Sequence, residues 1–273
     1  MPRTLDDDEV RRLAEAHEQA RRTVVPIDPV TRSHPHATLE DAYAIQAAWL
    51  DLRRAAGAEV RGHKIGLTSR AMQQAMKIDE PDFGFLLDDM FLASGAAITA
   101  ADYLDPKIEV EFAFVLAAPL GDRQVTAEEV YDATERIVPA LELIDARSYR
   151  AHPEDGRTRT VIDTIADNAA DAGIVVGEAS VSVTDARSGA LRWAGAILRR
   201  NGIVEETGLG AGVLDDPVQG VVWLANRLHG LGITLGAGET ILAGSFTRPV
   251  DCRAGDRFEV DYGPLGRITL DVR

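Results

Sequence analysis

The sequence predicts an α+β protein in which a helical N-terminal portion precedes a mixed, strand-rich core. In the first sixty residues, apolar side chains recur at helical spacing. Later segments instead alternate apolar and polar residues, or carry short apolar runs bounded by glycine and proline. Because the pattern changes just after Gly57, we divide the chain into a helical portion, 1–60, and a core, 61–273.

Two helices are predicted in the N-terminal portion. Thr4 is expected to cap the first, which ends near residues 24–26. Thr38 caps the second, with Asp41 at the capping-box position, and Gly57 ends it. Each helix carries one apolar face, formed by Val10, Leu13 and Ala14 in the first and by Ala42, Ile45, Trp49 and Leu52 in the second.

Strands and shorter helices alternate through the core. The predicted elements, in order, are a strand over 59–65, a helix over 70–76, a strand over 108–116, a helix capped at Thr126, a strand over 138–144, a hairpin, a helix from Pro217 to Gly230, and strands near 240–242, 257–262 and 267–272. The hairpin is predicted at Asn201-Gly202, because both residues accept the positive φ of a tight turn. Asp216 followed by Pro217 is typical of a helix start.

Composition excludes several classes of function. The chain has a net charge of -15, which argues against nucleic-acid binding because that needs a basic surface. Cys252 is the only cysteine, so neither a disulfide nor a thiolate metal cluster can form within one chain. No apolar run resembles a signal peptide or a membrane span. We therefore expect a cytoplasmic protein without a membrane partner.

Two acidic side chains share one face of the clearest strand. Alternation gives that strand an apolar face, formed by Ile108, Val110, Phe112 and Phe114. Glu109 and Glu111 share the opposite face, about 7 Å apart, and Ala113 follows them towards the interior. Like charges near a core are costly unless a cation joins them, and Mg²⁺ or Mn²⁺ prefers carboxylate oxygens. A solvated acidic face would show the same alternation.

A third acidic residue favours the metal interpretation. Glu142 is the lone acid inside the apolar run 138–144, where a charge is costly without a partner. The alternative is an edge residue that reaches solvent. A third ligand beside Glu109 and Glu111 explains more of the pattern.

Three further residues are candidates for chemistry on the substrate. Lys64 lies at the end of a predicted strand, where partial desolvation near a metal would lower its pKa towards proton transfer. Asp82 falls in a segment typical of a turn, or of a loop that presents the carboxylate to a site. Ser245 follows an apolar strand, and its hydroxyl could hold a substrate carboxylate. Ordinary solvated or turn residues are the alternatives for all three.

Seven segments together resemble the hydratase branch of the fumarylacetoacetate hydrolase superfamily. They are HKIGLTSRAMQ (63–73), EPDFGFLLDDM (80–90), KIEVEFAFVL (107–116), VPALELIDAR (138–147), DNAADAG (167–173), RNGIVEETG (200–208) and AGSFTRPV (243–250). The resemblance runs in order through nearly the whole chain. It implies that 61–273 is a catalytic core with a mixed β-roll, and that the chain forms a homo-oligomer, a pentamer or a decamer.

The resemblance also implies a set of site residues. Glu109, Glu111 and Glu142 match the motifs that hold Mg²⁺ or Mn²⁺ in the family, and Lys64 and Asp82 match its catalytic lysine and acid. The implied reaction is metal-dependent hydration of an unsaturated seven-carbon 2-oxo dicarboxylate in the meta-cleavage catabolism of an aromatic compound. Three alternatives stay open: a hydratase for a five-carbon 2-oxo acid, a decarboxylase for a six-carbon diacid, and a non-enzymatic, metal-dependent small-molecule binding protein.

Overall fold

Two β-sheets and nine α-helices appear in the computed structural model, which describes residues 2–273. The helices are α1 (Asp7–Thr23), α2 (Val30–Ser33), α3 (Leu39–Ala55), α4 (Arg70–Met76), α5 (Ala127–Ala133), α6 (Val161–Ala166), α7 (Val183–Arg187), α8 (Ala190–Trp193) and α9 (Pro217–His229). The strands are β1 (Val60–Gly66), β2 (Asp82–Leu87), β3 (Phe91–Ala93), β4 (Ala97–Ile98), β5 (Lys107–Leu116), β6 (Thr134–Ile144), β7 (Asp171–Val176), β8 (Gly195–Arg200), β9 (Ile203–Leu209), β10 (Thr240–Leu242), β11 (Val250–Asp251), β12 (Arg257–Asp261) and β13 (Arg267–Val272).

The larger sheet is mixed and carries the candidate site. Its strand order is β2-β1-β10-β5-β6-β7-β3, and β11 also pairs with β5. The central pairs β10–β5, β5–β6 and β6–β7 are antiparallel, whereas β1–β10 and β3–β7 are parallel. The smaller sheet runs β4-β13-β12-β8-β9. Together with the helices, these sheets confirm the predicted α+β fold with a strand-rich core.

The long N-terminal helices pack against each other and against the sheets. Thr38 and Asp41 form the predicted capping box of α3. The predicted cap of α1 is wrong: Asp6 accepts a hydrogen bond from the amide of Glu9 instead, and the hydroxyl of Thr4 donates to Asp41 at 2.9 Å. Asp caps helices as well as Thr does, and Asp6 adjoins the first turn. Residues of α1, α3 and the sheets share one hydrophobic cluster, so the division at residue 60 stays a prediction.

Most predicted elements of the core are present within a residue or two of their predicted bounds. The helix over 70–76, the Thr126 cap of α5, the Asn201-Gly202 hairpin and the helix that starts at Pro217 are all confirmed. Two predictions differ from the structure: β6 begins at Thr134, four residues before the predicted strand, and Asp82 opens strand β2 instead of lying in a turn or a loop. Between Pro2 and Arg273, no helix combines the length and the apolar character of a membrane span.

Strand β5 separates two apolar layers. The side chains of its first face, Ile108, Val110, Phe112 and Phe114, are fully buried in the main core. On the opposite face Ala113 belongs to a second buried cluster with Leu86, Val138, Ala140, Ile174 and Leu242. Glu111 lies on this second face and is also fully buried. The alternative of a solvated acidic face is therefore wrong.

Candidate active site and metal centre

Three carboxylates meet where β5 and β6 pair. Glu109 and Glu142 stand directly opposite each other in this antiparallel pair, and Glu111 follows two residues along β5. Each offers an oxygen within 4.8 Å of the oxygens of the other two. Glu111 and Glu142 are fully buried, whereas Glu109 is half-buried at the wall of a cavity. The structure thus brings together the three predicted metal ligands.

The triad has fewer partners than three buried or half-buried carboxylates need. Burial and the charge of Glu142 raise the pKa of Glu109 to about 8, and burial raises that of Glu142 to about 7. Among the described residues, Oε1 of Glu111 and both oxygens of Glu142 accept no hydrogen bond. Buried anions persist when a cation neutralises them. Three converging carboxylates suit a hard dication such as Mg²⁺ or Mn²⁺, so the residues fit the metal that the family implies.

The loop after β10 fixes the orientation of Glu111. The amide of Gly244 donates to Oε2 of Glu111 at 2.9 Å. Gly244 has a φ of +121°, and a Cβ there would meet the side chain of Thr68 at 2.4 Å. Glycine is therefore required at this position both by conformation and by space.

Lys64 projects from β1 into the same group of charges. Its Nζ lies 3.1 Å from Oε1 of Glu142 and donates to the carbonyl of Ala169 at 2.9 Å. Burial alone would lower the pKa of Lys64, but the carboxylates of Glu142 and Asp82 outweigh burial and raise it. Desolvation is the largest single influence on this lysine, but the carboxylates together exceed it, so without a metal the pKa is raised and not lowered. A lowered pKa beside a bound metal stays a prediction.

The acceptor of Lys64 lies on an unusual left-handed turn. Asn168, Ala169 and Ala170 have φ values of 51°, 50° and 61°. Such a conformation costs about 1–2 kcal/mol for an alanine, whereas asparagine adopts it more readily. The side chain of Asn168 accepts from the amide of Phe85 at 2.8 Å and donates to its carbonyl at 3.0 Å. These bonds hold the strained turn against β2 and aim the Ala169 carbonyl at Lys64.

Asp82 lies close to Lys64 on the neighbouring strand. In the β1–β2 pair, Asp82 stands opposite Gly66 and Lys64 stands opposite Gly84. A Cβ at Gly66 would lie 2.2 Å from Oδ1 of Asp82 and 3.4 Å from Nζ of Lys64, so both charged groups lie over this glycine. Asp82 is buried with no hydrogen bond to either oxygen among the described residues, and burial raises its pKa.

Sequence reasoning missed one acid of the cluster, Asp171. It opens β7, is fully buried, and has a pKa raised by burial to about 7. Its charge in turn raises the pKa of Glu142. The available signal was a single acid immediately before the apolar run 172–176, the same kind of signal that singled out Glu142.

A cavity of about 600 Å³ gives access to these groups, and Lys64, Asp82, Glu109 and Ser245 lie in its wall. The hydroxyl of Ser245 is close to the carbonyl oxygens of Val110, at 3.3 Å, and Thr247, at 3.0 Å, and accepts from the amide of Thr247. These bonds hold the conformation of the loop that follows Gly244. A direct contact between Ser245 and a substrate carboxylate stays a prediction.

Known proteins similar to the chain include a seven-carbon diacid hydratase and enzymes that match both enzymatic alternatives. It is 49% identical to 2-oxo-hept-4-ene-1,7-dioate hydratase of Escherichia coli, over 94% of this chain and 95% of that protein. It is 38% identical to 2-keto-4-pentenoate hydratase of Paraburkholderia xenovorans, over 93% and 91%. No protein-family model matches the chain.

Two solved structures are similar to the chain in fold. The 4-oxalocrotonate decarboxylase from Pseudomonas putida G7, complexed with magnesium and adipate, superposes with a TM-score of 0.92 at 33% identity and full coverage of both chains. A putative fumarylacetoacetate hydrolase family protein from Yersinia pestis shares the fold alone, with a TM-score of 0.57 at 16% identity over 77% of this chain and 92% of that one.

Proposed function

The chain belongs to the hydratase and decarboxylase branch of the fumarylacetoacetate hydrolase superfamily, and from this membership we propose that it is a metal-dependent hydratase. It adds water to 2-oxohept-4-ene-1,7-dioate and yields 4-hydroxy-2-oxoheptanedioate. One observation carries the proposal: three clustered carboxylates, two fully buried and one half-buried, lie beside a lysine and an aspartate, and Glu109, Lys64 and Asp82 reach the wall of one cavity. Mere binding of a small molecule needs no proton-transfer group beside the metal ligands.

Glu109, Glu111 and Glu142 would hold the metal, and the oxygens without hydrogen bonds among them are its natural ligands. When bound, Mg²⁺ or Mn²⁺ would act as a Lewis acid on the 2-oxo acid end of the substrate and would polarise the ketone. Glu109 borders the cavity, so the reacting end of the substrate lies at this wall.

Hydration requires several proton movements on the substrate. A proton leaves C3 and a proton reaches C5, which brings the double bond into conjugation with the ketone. Water then adds its oxygen at C4, and a proton returns to C3, so the net change is the addition of one water molecule. A group that both gives and accepts protons must therefore lie beside this carbon chain.

Asp82 fits the proton-transfer role. Its raised pKa lets the carboxyl keep a proton to higher pH than an exposed aspartate does, so it can donate to carbon and accept in turn. Lys64, whose pKa is raised, stays an ammonium ion, and its charge stabilises negative charge that develops on the substrate. Glu142 and the Ala169 carbonyl hold this ammonium in place.

A decarboxylase would use the same carboxylates and the same lysine, because loss of carbon dioxide also leaves negative charge on the 2-oxo acid. We favour hydration because the identity to the seven-carbon diacid hydratase is 49%, against 38% to the pentenoate hydratase and 33% to the decarboxylase of known structure. From the family resemblance we also propose homoprotocatechuate catabolism as the pathway, a homo-oligomer (pentamer or decamer), and action in the cytoplasm.

The test is turnover of the dienol form of the substrate, 2-hydroxyhepta-2,4-dienedioate. Protein freed of metal by a chelator is mixed with the substrate, with and without added Mg²⁺ or Mn²⁺, and loss of the conjugated ultraviolet absorbance is followed. Mass spectrometry then identifies the product. We expect metal-dependent loss of absorbance and a product heavier than the substrate by one water.

Each alternative has its own outcome in the same assay. Carbon dioxide from the six-carbon 2-oxo-3-hexenedioate, without hydration of the seven-carbon diacid, would establish the decarboxylase. Faster hydration of the five-carbon 2-hydroxypenta-2,4-dienoate would establish the pentenoate hydratase. Metal-dependent binding without turnover of any of the three compounds would identify a binding protein and refute the proposed activity.

A further inference from the structure

Two arginines stand at the base of a short hairpin beside the cavity. Residues 150–159 double back: the amide of Arg159 donates to the carbonyl of Arg150 at 3.0 Å, and that of His152 donates to the carbonyl of Arg157 at 2.9 Å. Arg150 and Arg159 both lie in the cavity wall. The hairpin therefore delivers two guanidinium groups to the cavity that holds the candidate metal ligands.

The hairpin is anchored to the N-terminal portion of the chain. Nε2 of His152 lies 2.9 Å from Oδ1 of Asp28, and Nη2 of Arg32 donates to Glu154 at 2.7 Å. These contacts tie the hairpin to residues that do not line the cavity. Its two arginines are thereby held at the cavity wall by structure that does not belong to the metal site.

Arg159 is buried but has few partners. Its side chain is 7% exposed, and within residues 2–273 its guanidinium makes one hydrogen bond, from Nη1 to Oδ2 of Asp167 at 3.4 Å. Asp167 is already engaged by Arg147, whose Nε lies 2.5 Å from Oδ1 and whose amide donates to Oδ2 at 2.8 Å. A guanidinium has five N–H donors, so most of those of Arg159 remain for a group in the cavity.

The other cations of the cavity wall are committed elsewhere. Lys64 is paired with Glu142, and Arg150 is paired with Asp105. Arg248 is 83% exposed and paired with Glu206 at 2.7 Å. Among the described residues, Arg159 is thus the buried arginine of this wall, and most of its donors are unused.

A buried guanidinium with free donors matches a carboxylate, which it can bind through two parallel hydrogen bonds. In the proposed function the 2-oxo acid end of the substrate lies at the metal site. The carboxylate at the other end of a dicarboxylate therefore still needs a binding partner. We propose that Arg159 binds the distal carboxylate and thereby makes the enzyme selective for diacids over monoacids. This assignment rests on the proposed function for the 2-oxo acid class, and it makes Arg159 a specificity-determining residue.

The proposal is tested by binding, so that it does not depend on turnover. The probes are 2-oxoheptanedioate and 2-oxoheptanoate, two saturated 2-oxo acids of equal length that differ only in the terminal carboxylate. Calorimetry with protein and excess Mg²⁺ gives the ratio of their dissociation constants. Because hydrogen bonds between charged groups are worth about 1.5–3 kcal/mol, the wild-type protein should bind the diacid roughly 10- to 100-fold more tightly.

Substitution of the arginine should remove this preference. Arg159→Gln is expected to bring the ratio close to one because it weakens binding of the diacid. The dissociation constant of the monoacid should change by less than about threefold. Arg159→Lys keeps the positive charge but loses the planar guanidinium, so it should keep part of the preference for the diacid. This variant also provides the test if Arg159→Gln does not fold. Arg157→Gln is the matched control, since Arg157 is exposed in the same hairpin, and its ratio should equal that of wild type.

Two results would overturn the proposal. One is that the wild-type protein shows no preference for the diacid, and the other is that Arg159→Gln and Arg159→Lys weaken the binding of both probes equally. A protein that prefers the diacid but turns over none of the unsaturated acids would refute the proposed activity while supporting the role of Arg159. The two failures are thus distinguishable.

Discussion

Nζ of Lys64 lies 3.1 Å from Oε1 of Glu142, so a candidate catalytic cation is held by a candidate metal ligand. Glu142 also stands opposite Glu109 in the sheet, and both of its oxygens lack a hydrogen bond among the described residues. One oxygen of this carboxylate can therefore face the ammonium while the other faces a metal. A single side chain thus links the candidate metal ligands to the candidate catalytic cation.

Glu142→Gln should abolish metal-dependent turnover while leaving a folded protein. The amide keeps the volume of the side chain but loses the negative charge that a hard cation requires. Turnover and Mg²⁺ affinity are measured together with the circular dichroism spectrum. Glu135→Gln is the control, because Glu135 lies exposed on the same strand and should behave as wild type. Wild-type rates for Glu142→Gln would show that the triad is misassigned.

Lys64→Met should separate catalysis from metal binding. Loss of a positioned acid–base or electrostatic group lowers kcat by about 10²–10⁴-fold. Removal of a cation from the side of the triad should leave Mg²⁺ binding as tight as in wild type, or tighter, because a like charge disappears. Steady-state kinetics and Mg²⁺ calorimetry check this. A parallel loss of turnover and Mg²⁺ affinity would instead indicate a structural role for the lysine.

Gly66→Ala should impair the enzyme through Asp82. The new Cβ would lie 2.2 Å from Oδ1 of Asp82, so the carboxyl must move. A misplacement of about 1 Å can cost about 100-fold in rate. Because Gly66→Ala and Asp82→Asn remove the same function, the double variant should be little slower than the worse single variant. Additive losses in kcat would show that the glycine acts independently of Asp82.

Thermal stabilisation by Mg²⁺ should increase with pH. In metal-free protein, burial raises the pKa of Glu109 to about 8 and that of Glu142 to about 7, above the ordinary value of about 4.3. The folded state then binds more protons than the unfolded state between about pH 4.3 and pH 8, so its stability falls as pH rises through this window. A bound dication replaces these protons and removes the penalty.

The measurement is the difference in Tm with and without excess Mg²⁺ at pH 6, 7 and 8. We expect the difference to grow at each step. Glu109→Gln should flatten the dependence, since one of the groups with a raised pKa no longer titrates. A difference that stays constant or shrinks towards pH 8 would contradict the electrostatic account of the triad.

Local sequence patterns predicted most elements and the three carboxylates that the structure brings together, because these depend on short-range rules. Strict alternation along β5 was sufficient to place Glu109 and Glu111 on one face, and a lone acid in an apolar run identified Glu142. Helix caps such as Thr38 and the Asn201-Gly202 turn follow from backbone chemistry alone. The α1 cap failed only because two good capping residues, Thr4 and Asp6, lie close together.

Features that depend on contacts between distant segments were not predictable from the sequence. The sign of the pKa shift of Lys64 depends on how many carboxylates surround it, and these come from other strands. Nothing in the local sequence predicts positive φ at Ala169 and Ala170, since alanine disfavours that conformation. The free donors of Arg159 become apparent only when the partners of Asp167 are known.

The most direct test of the central claim is a crystal structure with Mn²⁺, examined by anomalous diffraction at the manganese edge. We predict one anomalous peak at about 2.0–2.2 Å from carboxylate oxygens of Glu109, Glu111 and Glu142 together, the distance range of hard divalent ions smaller than Ca²⁺. A peak held by other side chains, or the absence of a peak between β5 and β6 in fully active crystals, would contradict the account.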